Sequence, residues 1–245
     1  AVRLHLEEVS AMNIRVRFSK HGCLKFIGHL DVMRYFQKAM RRAEIDMCYS
    51  EGFSPHMIMS FASPLGLGLE SDGEYMDISV KQSPSSKEAV ERLNAVMAEG
   101  IEVLSWRELP ENSKNAMASV AGADYEVRFR EGYELEEGWK KKLEEFLALP
   151  EIRIMKETKK GEQEVDIRPW VYDYHIKDQT IFLKVSAGSV HNLKPELLLK
   201  AFADWAGVEI PAFALLICRK EMYADEGSET ERKLVALEEL GEEIG

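Results

Sequence analysis

The stretch MNIRVRFSKHGCLKFIGHLDVMRYFQKAMRRAEIDMCYSEGFSPHMIMSFA, residues 12–62, decides how this chain folds. From Asn13 to Ser19, apolar Ile14, Val16 and Phe18 alternate with Arg15 and Arg17, the period of a strand with one buried face. Gly28-His29-Leu30-Asp31 then reads as a helix entrance, with the Asp31 carboxylate at the positive end of the helix dipole. Val32, Met33, Phe36, Ala39, Met40 and Ala43 recur at helical spacing and predict a buried stripe. Arg34, Lys38 and Arg41 line another face, with Arg42 beside them. Met47 to Tyr49 and Ile58 to Ala62 read as short strands around Ser50-Glu51-Gly52-Phe53-Ser54-Pro55-His56, where Gly and Pro mark a tight loop.

Downstream, Tyr75 to Val80 continues the strands. Ser85 with Glu88 forms a capping box for a helix burying Ala89, Val90, Leu93, Val96 and Met97, stopped by Gly100. Ile101 to Trp106 closes the unit. The order is strand, helix, strands, helix, strand. After a polar connection, residues 110–122, the order recurs. Asp124 to Arg130 alternates, and Leu135, Trp139, Leu143, Phe146 and Leu147 share a helical side. Glu151 to Thr158 and Glu164 to Arg168 flank a Lys160-Gly161 turn, and Val171 to Ile176 and Thr180 to Val185 follow as strands. Lys194-Pro195 opens a helix with Leu198, Leu199, Phe202 and Trp205 on its core face, and Phe213 to Cys218 closes. The expected fold class is α+β, with two ferredoxin-like (βαββαβ) subdomains in tandem, residues 12–109 and 123–224. Residues 1–11 read as an upstream extension and residues 225–245 as an acidic tail, with Ser228 to Glu231 capping a short helix that carries Leu234, Leu237 and Leu240.

The 245 residues carry a net charge of −11, which argues against a general nucleic-acid coat. The charge is uneven. Residues 12–62 hold eight cations (Arg15, Arg17, Lys20, Lys25, Arg34, Lys38, Arg41, Arg42) against Asp31, Glu44, Asp46 and Glu51, a net of +4 that leaves −15 for the remainder. A basic patch on an acidic body favours a local, oriented contact. Cys23, Cys48 and Cys218 are few, odd in number and far apart, as expected of reduced thiols. They lack the close spacing that a radical-SAM iron–sulfur cluster needs. No apolar run has membrane-spanning length and no signal peptide is visible, so the expected location is the cytoplasm, with no membrane contact.

The segments KHGCLKFIGHLDVMRYFQKAMRRAEI and YSEGFSPHMIMSFASPLGLGLESDGEYMDI, followed by VDIRPWV and the strand ending in Arg219, are similar to the radical-SAM-linked protein family. The resemblance covers most of residues 12–224. That family is a domain of unknown function found alone or fused to the C-terminus of cobalamin-binding radical S-adenosylmethionine proteins. The resemblance implies an accessory to a radical SAM enzyme, one acting on RNA, and no known reaction; with the cluster cysteines missing, no cofactor is expected on this chain.

The candidate contact residues for RNA or a partner are Lys20, Arg34, Lys38, Arg41, Arg42, Ser54, His56 and Arg168. Arginines and lysines on one rigid face bind phosphates through charge and paired hydrogen bonds. Arg168 enters through the resemblance; from its spacing alone, an ion pair with Asp166 on a shared strand face competes. Trp170, Tyr172 and Tyr174 alternate onto one side, where they either join the core or stack bases. His21, His29 and His56 are the candidates for acid–base chemistry, since imidazole titrates near neutral pH. As metal ligands they lack a recognised spacing. The leading expectation is a non-catalytic RNA-binding or substrate-presenting module. The alternatives are an RNA endonuclease or RNA-modifying enzyme using those histidines, and a subunit that only docks on the radical enzyme.

Overall fold

The alternation at Ile14, Val16 and Phe18 produces a strand, β1 (Met12–Lys20), in the computed structural model, which describes residues 11–158, 161–211, 213–228 and 231–245. A short 3₁₀ turn (Gly22–Phe26) leads into α1 (His29–Arg42), which buries Val32, Phe36, Ala39 and Met40 against the sheet. Next come β2 (Met59–Phe61), β3 (Glu70–Val80), α2 (Ser86–Asn94) and β4 (Ile101–Glu108). A single turn, α3 (Ala116–Ser119), precedes β5 (Val120–Phe129) and α4 (Trp139–Leu147). The hairpin of β6 (Arg153–Thr158) and β7 (Gly161–Asp166) forms its own two-stranded sheet. Then follow β8 (Val171–Lys177), β9 (Thr180–Ser186), α5 (Pro195–Ala206), β10 (Leu215–Asp225), β11 (Leu234–Ala236) and β12 (Glu242–Glu243).

The architecture is α+β, built on one ten-stranded sheet with the order β12-β4-β1-β3-β10-β5-β9-β8. β2 adds to β3, and β11 adds to β10. Every neighbouring pair is antiparallel except β3 with β10. That parallel contact is short, pairing Cys218 with Glu70 and Arg219 with Ser71. It joins two apolar clusters. One holds Phe18, Phe36 and Trp106. The other holds Tyr125, Phe146 and Phe202 and also takes in Ala62 and Tyr75 from the first half of the chain.

Several expectations need correction. The last residues form no α-helix among those described. Leu234 to Ala236 instead take hydrogen bonds from Tyr223 to Asp225 as a strand, and Leu237–Leu240 is a 3₁₀ turn. The i, i+3 spacing of Leu237 and Leu240 suits three residues per turn as well as it suits an α-helix. Leu237 is 0% exposed, so this segment is packed rather than loose. The proposed cap at Ser228 to Glu231 lies partly outside the described residues, as do residues 1–10 and Lys160 of the expected turn. β7 stops at Asp166, and Arg168 opens a 3₁₀ turn with Pro169 behind it, so the two do not share a strand face. Proline carries no N–H for a ladder, which ends the strand. α2 ends at Asn94, six residues before Gly100, because the Asn94 side chain turns to bond both N–H and C=O of Val103.

Where β3 passes β10, the backbones touch. A Cβ on Gly73 would stand 2.6 Å from the Lys220 carbonyl oxygen and 2.9 Å from the Glu221 Cα. Neither atom belongs to a side chain that could swing away. Gly73→Ala is therefore expected to destabilise the protein by about 1–3 kcal/mol. Chemical denaturation would read this as a lower midpoint with an unchanged slope.

Candidate functional site

The eight cations of residues 12–62 divide into two groups. Arg15, Arg17, Lys20 and Lys25 point into the molecule or into ion pairs. Arg15 is 1% exposed and grips both Asp77 oxygens at 2.8 and 2.9 Å, and it donates to the Leu237 and Lys114 carbonyls. Arg17 bridges Glu221 and Glu238, and Lys25 reaches Glu70 at 3.2 Å. Lys20 is 3% exposed and donates to the Ile27 carbonyl at 3.1 Å, so it offers no surface charge. This corrects its assignment as a contact residue: the end of β1 folds under the 3₁₀ turn and encloses it.

The other four, Arg34, Lys38, Arg41 and Arg42, all stand exposed on α1. Arg34 meets Asp31 at 3.4 Å, a surface pair of little energetic weight. Arg42 leans toward the Val96 carbonyl at 3.4 Å. Beyond the helix, residues 50–56 form a projecting loop closed by the bridge between Tyr49 and Met57. The Ser50 hydroxyl accepts the His56 backbone N–H at 3.1 Å and lies 2.8 Å from its Nδ1, which holds the imidazole against the loop. Ser54 and His56 are exposed, and Phe53 at the tip is fully so.

The three candidate histidines sit on separate partners. His21 lies between Asp72 at 2.8 Å and Glu70 at 3.5 Å. His29 stands edge-on to Phe61 with centroids 5.1 Å apart. His56 holds Ser50 as described. Among the described residues, no three or more His, Cys, Asp and Glu gather where they could hold a metal ion. Arg168 folds back to donate to the Val171 carbonyl at 3.1 Å, while Asp166 accepts N–H groups from Ile152 and Arg168. The expected Asp166–Arg168 ion pair is thus replaced by backbone bonds. Trp170 stacks on His191 at 4.8 Å, and Arg232 covers the Tyr172 ring at 3.6 Å, so neither ring lies open as a stacking platform. Cys23 is exposed. Burial pushes the Cys218 thiol up to about 11 and raises that of Cys48, which keeps both protonated near neutral pH.

The sequence reading missed the ionic cluster at the junction of β3 and β10. Arg219 and Glu74, 3% and 5% exposed, form a two-point pair at 2.8 and 2.6 Å. Arg219 also donates to the Ser63 carbonyl at 2.9 Å, and the Ser71 hydroxyl donates to the Arg219 carbonyl at 3.0 Å. Burial works against the Arg219 charge, but Glu74 and Tyr125 outweigh it and hold the guanidinium above the ordinary arginine range. Burial pushes the neighbouring Lys20 ammonium down, with Glu74 opposing and Arg219 assisting. The available signal was a charged residue, Arg219, directly after the apolar run from Phe213 to Cys218. A second layer is more exposed. Lys220 bonds Asp72 and lies 3.8 Å from Glu126. Burial alone would raise the Asp72 carboxyl, but Lys220 and His21 hold it below the usual range.

Residues 13–195 match the family described as "Uncharacterized protein conserved in bacteria (DUF2344)". No curated protein matches the chain.

Glu74 is the only carboxylate whose hydrogen bonds reach Arg219 among the described residues, and Lys20 leans on the same charge. Glu74→Gln is expected to cost about 3–5 kcal/mol, because it leaves a buried guanidinium without its counter-charge. Urea denaturation of the variant checks this.

Proposed function

We propose, starting from the fact that the chain belongs to this conserved bacterial family, that it is a non-catalytic RNA-binding module which presents RNA to a partner enzyme. The observation that carries the reading is the set of four exposed cations on α1, followed in the chain by a loop that holds Phe53 in water and bonds His56 to Ser50. Arginine and lysine on a rigid helix suit phosphate oxygens. An exposed ring on a pinned loop suits stacking on an unpaired base. The remainder of the chain is acidic, which confines a polyanion to this patch. The separate partners of His21, His29 and His56 favour binding over cleavage, which needs an acid and a base on one substrate. The partner we infer is a radical SAM enzyme, on the sequence resemblance, with RNA modification or processing as the shared task.

The finer architecture belongs to the same reading. We infer two ferredoxin-like units, residues 12–109 and 123–224, joined by residues 110–122. The neighbour orders β4-β1-β3-β2 and β10-β5-β9-β8 support this, because each follows from strand, helix, two strands, helix, strand with antiparallel neighbours. In the second unit the β6–β7 hairpin is an insertion between α4 and β8.

The test is binding of labelled tRNA or rRNA fragments at several salt concentrations. The joint change Arg34→Ala, Lys38→Ala and Arg41→Ala is expected to weaken binding at least tenfold. It is also expected to flatten the slope of log affinity against log salt by about 2. Unchanged affinity without salt dependence would refute the reading.

A further inference from the structure

Between the segments at Lys25–Phe26 and Leu67–Leu69 and the helix α5 lies a cleft of about 700 Å³, and none of the four exposed cations of α1 is in its lining. Lys25, Phe26, Leu67 and Leu69 form one wall. Residues of α5, the segment after it and the start of β10 form the other. Small-molecule sites span roughly 300–1,000 Å³ and favour such seams between structural units. The lining is mostly carbon, with Leu199, Ala203, Ile210 and Leu215 among its atoms.

Three lining side chains are left in water: Phe26 is 67% exposed, Leu67 66% and Phe213 88%. Phe213 also holds φ at +63°, a backbone conformation that bulky residues seldom adopt and that concentrates at binding sites. Apolar side chains clustered around one hollow mark a surface that gains free energy when covered.

The charges at the rim are unequal in their engagement. Lys25 is paired with Glu70 at 3.2 Å and Lys200 with Asp204 at 3.0 Å, and the Arg130 Nε donates to the Phe213 carbonyl at 3.1 Å. Glu196 and Glu209 make no hydrogen bond or ion pair among the described residues. Glu209 stands three residues past the end of α5, where the last carbonyls of the helix add partial negative charge.

We propose that this cleft binds a small, largely apolar amine, its hydrocarbon along Leu199 and Ala203 and its ammonium group beside Glu209. A free amine gains here from both the apolar walls and the carboxylates of Glu196 and Glu209, two anions unpaired among the described residues, against the single Arg130 guanidinium, whose one partner is a carbonyl; a fatty acid of equal length has only that one cation to meet. The site is separate from the RNA face of α1, so either reading can fail without the other.

The test compares n-octylamine with octanoate, which share a tail and differ in charge, by isothermal titration. Octylamine is expected to bind saturably at one site and octanoate several-fold more weakly. Glu209→Gln should weaken octylamine about threefold, in keeping with an exposed ion pair. Ala203→Phe, which fills the floor, should abolish binding. Leu67→Ser, at an exposed position that the fold does not depend on, should weaken both ligands and guards against a misfolded Ala203 variant. RNA binding should be unchanged in all three. Absence of saturable octylamine binding would overturn the proposal. So would octanoate binding equal to or tighter than octylamine, or octylamine binding that neither Ala203→Phe nor Leu67→Ser reduces.

Discussion

The bond between Arg219 and Glu74 is the interaction on which this architecture turns. Among the described residues, two residue pairs of parallel ladder join the halves of the sheet, Cys218 with Glu70 and Arg219 with Ser71. Such a contact contributes little alone, since hydrogen bonds exchanged with water are worth about 1 kcal/mol each. Charged groups reinforce it. Arg219 crosses to Glu74 and to the Ser63 carbonyl, and Glu221 takes a hydrogen bond from the Tyr75 hydroxyl at 2.7 Å and pairs with Arg17. A buried pair is a weak source of net stability but a strong penalty on alternatives, because any other register would strand its charges. The junction thus acts chiefly to fix how the two halves sit against each other. In doing so it also fixes the shape of the cleft between Leu67 and α5.

Much of the local structure was legible because it rests on periodicity. The alternation in Asn13 to Ser19 and the stripe from Val32 to Ala43 became β1 and the buried side of α1. The capping signal at Ser85 and Glu88 corresponds to a hydrogen bond from the Glu88 N–H to the Ser85 hydroxyl. Those signals involve neighbours in sequence. The function of a cation does not. Nothing near Arg15 in the chain indicates that its partners are Asp77, Lys114 and Leu237. The basic count over residues 12–62 therefore overstated the surface charge, and only the four cations on α1 remain outside. Leu234, Leu237 and Leu240 show the same limit from the other side. Their spacing permitted a helix, and the strand Tyr223 to Asp225, far from them in neither sequence nor space, supplied a better partner.

The candidate surface and the interior differ in how their charges are held. On α1 the guanidinium and ammonium groups are solvated and nearly free, so they can exchange water for phosphate at small cost. At the junction Arg219 is taken up by Glu74 and the Ser63 carbonyl, and Lys20 is enclosed with its ammonium on the Ile27 carbonyl. The thiols follow the same division: burial raises the Cys218 thiol, while Cys23 meets solvent. Chemistry in this molecule is thus available at its periphery, on α1, on the loop at Phe53 and around the mouth of the cleft.

The short strand β12 has an effect out of proportion to its two residues. It lies along the outer side of β4, pairing Glu242 with Glu108 and Glu243 with Arg107. Ile244 then locks onto Ser86 through its own N–H and C=O. At the opposite end of the sheet, β8 points Asp173, His175 and Lys177 into water. A ten-stranded sheet left bare at its borders would invite strands from other molecules to add on. Here one border is partly occupied by the chain itself and the other is lined with ionisable groups, so a sheet of this breadth can remain a single molecule in a crowded solution.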